Sequence, residues 1–495
     1  MMRRFSALSA LLVLGLNGCM VGPDYTRPDV AAPEAFRFQE PEAADPADTA
    51  WWQQFDDPVM EGLINEALAN NKDLRIAAAR VEEFAGALTS TRAALFPQIG
   101  YGAAGSRDRF SEQLGTPASP GVPNPRITYQ ALLSASWEID LWGRIRRESE
   151  AAQAGLFATE EARRGVVLAL VSATAVGYTS LRTLDKQLEI ARATAKSYRE
   201  TLDLFELRYA GGVVSLVQVS QIRSQYEFAL AQVPLLEALV ARQEHALSAL
   251  LGRNPGPILR GKPIEQLKLP PVPAGLPSDL LARRPDVLQA EQDLIAANAR
   301  IGAARALYFP TLSLTGAVGT ASAELDDLFT GPARTWSYAG SLVGPIFTFG
   351  LIEGLVAQSE ARQRQLLANY ERSIQTAFRE VDDALIDARK SRERLAAQER
   401  RVQALQDYAR LATLRYDNGY TSYLEVLDAL RSLFEAELDF ADSYGQVFTA
   451  LVNTYKAMGG GWVAQADQRV PLELRPLENT PGTPIDNPGP AAASK

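Results

Sequence analysis

The chain has 495 residues, 46% hydrophobic and 22% charged, which excludes a mostly disordered chain. Its formal net charge is −9, so no global basic field exists to hold nucleic acid. With one Cys and one His, disulfide frameworks, zinc clusters and Cys/His or Ser/His/Asp catalysis are set aside, and the composition argues against an enzyme.

Met1 to Gly18 read as an export signal. Arg3 and Arg4 form its positive start, and Ala7 to Leu16 an apolar run too short to span a bilayer stably. No other run suggests a membrane helix. The segment ends Leu16-Asn17-Gly18-Cys19, which resembles a bacterial lipobox, in which the Cys receives the lipid and becomes the new N-terminus. Cys19, the only Cys, is therefore the expected lipidation site, and Met20 after it fits sorting to the outer membrane. Residues 19–50, rich in Pro and Ala, are expected to be extended and on the surface.

The chain then repeats itself. Leu207-Arg208-Tyr209-Ala210-Gly211-Gly212 is matched by Leu414-Arg415-Tyr416-Asp417-Asn418-Gly419 at an offset of 207, and Gly143 by Gly350 at the same offset. Upstream, Leu95-Phe96-Pro97 matches Tyr308-Phe309-Pro310 at an offset of 213. Each half reads as a helix, Phe-Pro, two strands, Gly, a long helix, a Gly turn and a helix back.

From Tyr129 the odd positions read Tyr, Ala, Leu, Ala, Trp, Ile, Leu and the even ones Gln, Leu, Ser, Ser, Glu, Asp. A period of two with one apolar face is the pattern of a transmembrane β-strand, and also of a half-buried soluble one. Gln98 to Arg109, Thr311 to Ala321 and Trp336 to Phe349 follow it less strongly. Four strands cannot close a barrel, and an open edge is not tolerated in lipid. If these strands span a membrane, the chain must oligomerise. Three copies give twelve strands, enough to leave a lumen.

The long helices carry a heptad seam, which implies left-handed supercoiling. It runs Leu181, Leu184, Leu188, Ala191, Ala195, Tyr198, Leu202, Phe205, Tyr209, and returns through Val219, Ile222, Tyr226, Ala229, Val233, Leu236 and Val240. In the second half it runs Val402, Leu405, Ala409, Ala412, Tyr416, then Val426, Ala429, Leu433, Ala436, Phe440 and Ser443. Pro234 is expected to kink or divide the first returning helix. A soluble coiled-coil hairpin would show the same seams.

Several segments resemble the TolC/OprM outer membrane factor family, in particular its NodT-type lipoprotein branch. They are Cys19-Met20-Val21-Gly22-Pro23-Asp24-Tyr25-Thr26-Arg27-Pro28; Trp51-Trp52 with Phe55, Asp57 and Pro58; Ser136-Trp137-Glu138-Ile139-Asp140-Leu141-Trp142-Gly143-Arg144; Leu280-Leu281-Ala282-Arg283-Arg284-Pro285-Asp286; and Met458-Gly459-Gly460-Gly461-Trp462. The resemblance covers residues 19 to 462 and implies an α+β membrane protein. It implies a homotrimer whose twelve-stranded β-barrel, four strands from each chain, continues into a coiled-coil helical tunnel across the periplasm. It also implies a passive exit duct for small molecules such as drugs, working with a periplasmic adaptor and an inner-membrane pump of the resistance-nodulation-division (RND) type, without a cofactor.

In that family, acidic residues at the positions of Glu425 and Asp428 line the periplasmic constriction, and the position matching Tyr416 helps hold it shut. Glu425 and Asp428, three apart, share one helix face, and three chains would place their carboxylates around one axis, favouring cations. A solvated helix face is the plainer reading of the same pair. The first-half equivalents, Gln218 and Gln221, are uncharged. Some relatives use an Arg near Thr421 in closing contacts. This chain lacks it, and Arg415 and Arg431 are both candidates to replace it. His245 and the acidic group Glu380, Asp382, Asp383 and Asp387 read as helix-face residues rather than a proton switch or a metal site.

The expected organisation is a signal peptide (1–18), a lipid-anchored extended segment (19–50), a first repeat (51–260) with strands at 98–113 and 127–142, a linker (261–277), a second repeat (278–462) with strands at 311–322 and 335–349, and a mostly disordered tail (463–495). Two other functions fit parts of this pattern: a periplasmic coiled-coil structural lipoprotein, and the duct of a protein-secretion system.

Overall fold

The computed structural model describes residues 20–31, 33–38, 50–111, 113, 123–269, 272, 277–459, 462–471, 474 and 475. The export signal and Cys19 lie outside them. The chain divides into two compact units: residues 1–29, 82–158 and 290–370, and residues 30–81, 159–289 and 371–495.

The elements follow one another as α1 (Pro58–Asn70), α2 (Lys72–Ala93), β1 (Gln98–Asp108), β2 (Arg126–Ile139), α3 (Arg144–Ala210) and α4 (Leu216–Leu250). Then come α5 (Pro277–Arg283), α6 (Pro285–Ala306), β3 (Thr311–Ser322), β4 (Arg334–Val343), α7 (Leu351–Asp417), α8 (Tyr423–Met458) and α9 (Trp462–Arg469). Helices α3 and α7 have 67 residues each, about 100 Å of helix. Both ends of the two helices stand at the 207 offset.

Four boundaries differ from expectation. Strand β1 stops at Asp108, not 113, because the Phe110 N–H and C=O turn to the Asn124 side chain at 3.0 and 2.9 Å. Strand β2 stops at Ile139, not 142, because the Asp140 carboxylate accepts the Arg146 N–H at 2.9 Å and opens α3. Strand β4 stops at Val343, not 349, before Gly344 and Pro345, which has no N–H for a ladder. The helix expected before each strand pair is two helices. Buried Asn71 separates α1 from α2, its amide oxygen capping Leu74 N and its amide nitrogen bonding Leu250 O. Pro285 opens α6 as its first residue.

Pro234 does not divide α4. It lies on the helix's exposed side, where the carbonyl it frees, that of Leu230, can bond water. The region from 463 is not tail from its start: Trp462, Val463 and Ala466 of α9 and Val470 just after it are buried.

In the first unit the four strands form an up-and-down antiparallel sheet, order β1-β2-β3-β4. The register sets Tyr101 beside Leu133, Leu133 beside Val318, and Val318 beside Trp336. Ile99, Trp137, Leu314, Tyr338 and Leu342 fall on the same face, which is exposed: Tyr101 is 94% and Tyr338 81% accessible. The opposite face carries Gly100, Ser134, Ala317 and Ser337 in its matching row. An apolar, aromatic outer face and a small, polar inner one are what lipid and a watery lumen select.

The N-terminal strap of the first unit is fastened to the β2–α3 junction. Val21 N–H bonds Trp142 O at 3.1 Å, and buried Arg147 bonds Val21 O and pairs with Asp24 at 2.7 Å. Gly22, at φ +101°, lies against Gly302, where a Cβ would strike backbone. Tyr25 and Arg27 both reach Glu291.

In the second unit the main core gathers Trp51, Trp52, Phe55, Phe448, Tyr455 and Trp462, with Trp51 stacked on Tyr455 at 5.3 Å. Val167, Leu170, Val171 and Ala175 of α3 fill it. Their helix contains a stretch long and apolar enough to cross a membrane, contrary to the sequence reading, but half of that stretch is buried. The seam positions Leu188, Ala191, Tyr198, Leu202 and Phe205 are buried. Tyr209 is 46% exposed, so the seam closes at Phe205.

Candidate functional site

The motifs of the sequence prove to be joints. Asp57 caps α1 through Val59 N at 2.9 Å while its other oxygen accepts from Tyr178 Oη at 2.8 Å and Lys262 N at 3.2 Å. That fixes the linker after α4 to the main core. Burial and the neighbouring carboxylate push the Tyr178 hydroxyl's pKa well up. Arg284 reaches Ala457 O at 2.9 Å, Asp286 and Glu380, and its stem packs on Gly459. Glu138 pairs with Arg144, and Trp142 stacks on Phe309 at 4.6 Å while donating to Pro310 O.

The candidate constriction lies in the turn between α7 and α8. Gly419, at φ +75°, makes the turn, with Tyr420 N–H on Arg415 O at 2.8 Å. The first repeat turns the same way at Gly212, φ +74°, with Val213 N–H on Arg208 O at 2.9 Å. Below both turns Leu202, Phe205, Val219 and Ile222 pack with Ala409, Ala412, Tyr423 and Val426.

Tyr416 joins this cluster. Its ring meets Tyr423 edge-on at 4.9 Å and lies 6.3 Å from Phe205, which contacts Tyr423 at 4.5 Å. Burial pushes the Tyr423 hydroxyl's pKa far up, and burial pushes that of Tyr198, on the same seam, to about 12.

Glu425 and Asp428 stand on one face of the first turns of α8, and each has its own cation. Arg415 Nη1 donates to Glu425 Oε1 at 2.9 Å, and the Thr421 hydroxyl donates to Glu425 Oε2. Arg431 Nη2 donates to Asp428 Oδ1 at 3.2 Å. Both candidate arginines are therefore engaged, one per carboxylate, within the chain. Sequence reasoning missed Thr421 as a partner of Glu425; its spacing of four was the available signal.

The other candidates stay apart from this tip. His245 is exposed on α4. Glu380 serves Arg284, and Asp382 accepts Arg37 N–H at 3.0 Å. Among the described residues no group of three or more His, Cys, Asp or Glu could hold a metal ion.

A sheet with an apolar outer face, joined in sequence to paired long helices, defines a channel-forming protein of the outer membrane. The chain belongs to the outer membrane efflux protein family, whose pattern it matches over residues 63–253 and 276–460. It is 38% identical over 461 residues to the toluene efflux pump outer membrane protein TtgC of Pseudomonas putida, covering 92% of this chain and 95% of that one. It is 36% identical to the cation efflux system protein CusC of Escherichia coli, over 91% of this chain and 97% of the other. The crystal structure of the open state of the Neisseria gonorrhoeae MtrE outer membrane channel superposes with a TM-score of 0.81 at 32% identity, covering 90% of this chain and 99% of that one. The protein is an efflux channel of the outer membrane, and its family is one of efflux proteins rather than enzymes.

Proposed function

We propose that three copies of this chain form a passive exit duct for small toxic molecules, closed at its periplasmic end by Tyr416, Glu425 and Asp428. The observation that carries the trimer is the sheet. Its two outer strands, β1 and β4, have unpaired backbone edges, and its outer face is apolar. Lipid tolerates no such edge, so β4 of one copy pairs with β1 of the next. Four antiparallel strands per copy keep the alternation unbroken around the ring. Twelve strands leave a lumen, where eight would fill themselves with side chains. A soluble sheet would instead leave Tyr101, Trp336 and Tyr338 in water.

The strap supports lipidation at Cys19. Met20, the residue after Cys19, packs on Gly143, four residues beyond the end of β2. Periplasmic adaptor and RND-type inner-membrane pump are the partners this reading takes, with the energy coming from the pump. Toluene and cations are named for the relatives, so organic solvents and cations are the first cargo classes to test.

The test is the purified protein in detergent and in a planar bilayer. A heat-resistant trimer giving small cation-selective openings is expected. A folded monomer or dimer, or a trimer that never conducts, would remove the duct.

A further inference from the structure

The two tips differ in one hydrogen-bond pattern. At the start of α4, Ser215 and Gln218 form a capping box: Gln218 N–H donates to Ser215 Oγ at 3.4 Å, and Ser215 N–H donates to Gln218 Oε1 at 3.0 Å. Their equivalents at the start of α8 are Ser422 and Glu425, the same two positions with a carboxylate in place of an amide. The backbone is equally ready. Ser215 has φ −84° and ψ 155°, and Ser422 has φ −80° and ψ 156°. Yet Ser422 makes no side-chain cap bond. Glu425 has been drawn away to Arg415 and Thr421.

The first repeat explains why it does not do the same. Val214 stands where Thr421 is and has no hydroxyl to offer. Arg208, the equivalent of Arg415, lies over the Phe205 ring at 5.5 Å. One tip is built for the box and the other for a tie that links the end of α7 to the start of α8.

We propose that Glu425 is a two-position carboxylate, resting on this chain's reading as a constricted trimer. In the tied position Arg415 neutralises it, so three copies can approach one axis without repelling one another, and the tip stays narrow. Released, it closes the box with Ser422. Each carboxylate then loses its cation, and mutual repulsion favours the wider tip. The tied state leaves α8 uncapped; the released state caps it, which offsets the lost ion pair and keeps the two positions close in energy. Arg415, Thr421 and Ser422 are thus positioning residues for the constriction.

The experiment is single-channel conductance of the trimer, with heat resistance as the folding control. Thr421→Val removes one arm of the tie without changing charge and is expected to raise the open fraction, by about threefold to tenfold. Thr421→Ala serves if Val disturbs the tip. Glu425→Gln, alone and with Thr421→Val, copies the first repeat's box without a charge to repel its copies, so it is expected to change conductance without the rise in open fraction. Ser422→Ala removes only the box and is expected to reverse most of the gain of Thr421→Val. If Ser422→Ala changes nothing in any background while Glu425→Gln and Asp428→Ala alter conductance, the two-position carboxylate is wrong and the constriction stands. If none of these substitutions alters conductance, the constriction reading fails with it.

Discussion

Arg163 of α3 holds Asp467 of α9 with both terminal nitrogens, at 2.7 and 2.6 Å, and is 1% exposed while doing so. Its remaining contacts go to Glu160, three residues back in the same helix, and to Leu474 O at 3.4 Å. The pair therefore fixes the C-terminal helix to α3, whose Val167, Leu170 and Val171 fill the main core. Asp467→Ala leaves a buried guanidinium short of one carboxylate and is expected to cost about 3–5 kcal/mol. Arg163→Met with Asp467→Leu fills the same space without charge and is expected to be near neutral. Thermal unfolding, with proteolysis after residue 459 as the local readout, separates the two. Equal destabilisation in both would mean that the charges themselves are needed.

The same helix has a second fastening that acid should release. Glu61 of α1 accepts from Gln53 at 2.7 Å and from Arg469 at 3.0 Å. The Gln53 hydrogen bond, and then Arg469 acting against partial burial, hold the Glu61 carboxyl below the usual glutamate range. A carboxyl with a lowered folded pKa stabilises the fold above its unfolded value, about 4.3, and that contribution is lost as pH falls through the folded one. Proteolysis of α9 is therefore expected to quicken below about pH 4. Glu61→Gln should flatten this dependence. An unchanged acid profile in that variant would assign the effect to other groups.

Neighbouring residues of β3 should respond in opposite ways to the same substitution. Val318 lies on the apolar face, between Leu133 and Trp336, whereas Ala317 points to the small, polar face beside Ser134 and Ser337. Val318→Arg places a charge in hydrocarbon, at a cost of about 2–4 kcal/mol near the bilayer midplane. Ala317→Arg places it in the lumen and is expected to fold normally with a smaller, less cation-selective conductance. Folding yield into lipid vesicles measures the first and bilayer recording the second. Equal folding of the two variants would contradict the assignment of faces.

Much of this was legible because the periods are regular. The seam from Leu188 to Phe205 keeps its spacing without a break, and the alternation from Tyr129 to Ile139 names its apolar face without help from tertiary contacts. The repeat located both tips. What could not be read depends on partners far apart in sequence. Asp57 looks like an ordinary helix cap until Tyr178 and Lys262 arrive from more than a hundred residues away. Helix α9 is short and half polar, and only Arg163 and the tryptophan core show why it folds. At the constriction the carboxylates and both arginines were visible, but which arginine serves which carboxylate was not. Arg431 is reached along one helix, and Arg415 across a turn whose geometry no periodicity reports.

The contact of Arg431 with Asp428 changes what the acidic tip should do. Asp428 and Arg431 are both about half exposed, at 53% and 51%, so their pairing is weak and screened by salt. Three Asp428 carboxylates, each with an adjacent guanidinium, give a smaller negative potential than bare ones. Asp428→Ala is expected to weaken cation selectivity and raise conductance, more so with Glu425→Ala. Arg431→Ala removes the neighbouring cation and should strengthen cation selectivity by about twofold, chiefly at low salt. Reversal potentials in a potassium chloride gradient, at low and high ionic strength, read both signs in one experiment. Selectivity shifting in the same direction for Asp428→Ala and Arg431→Ala would mean that neither charge faces the conducting path.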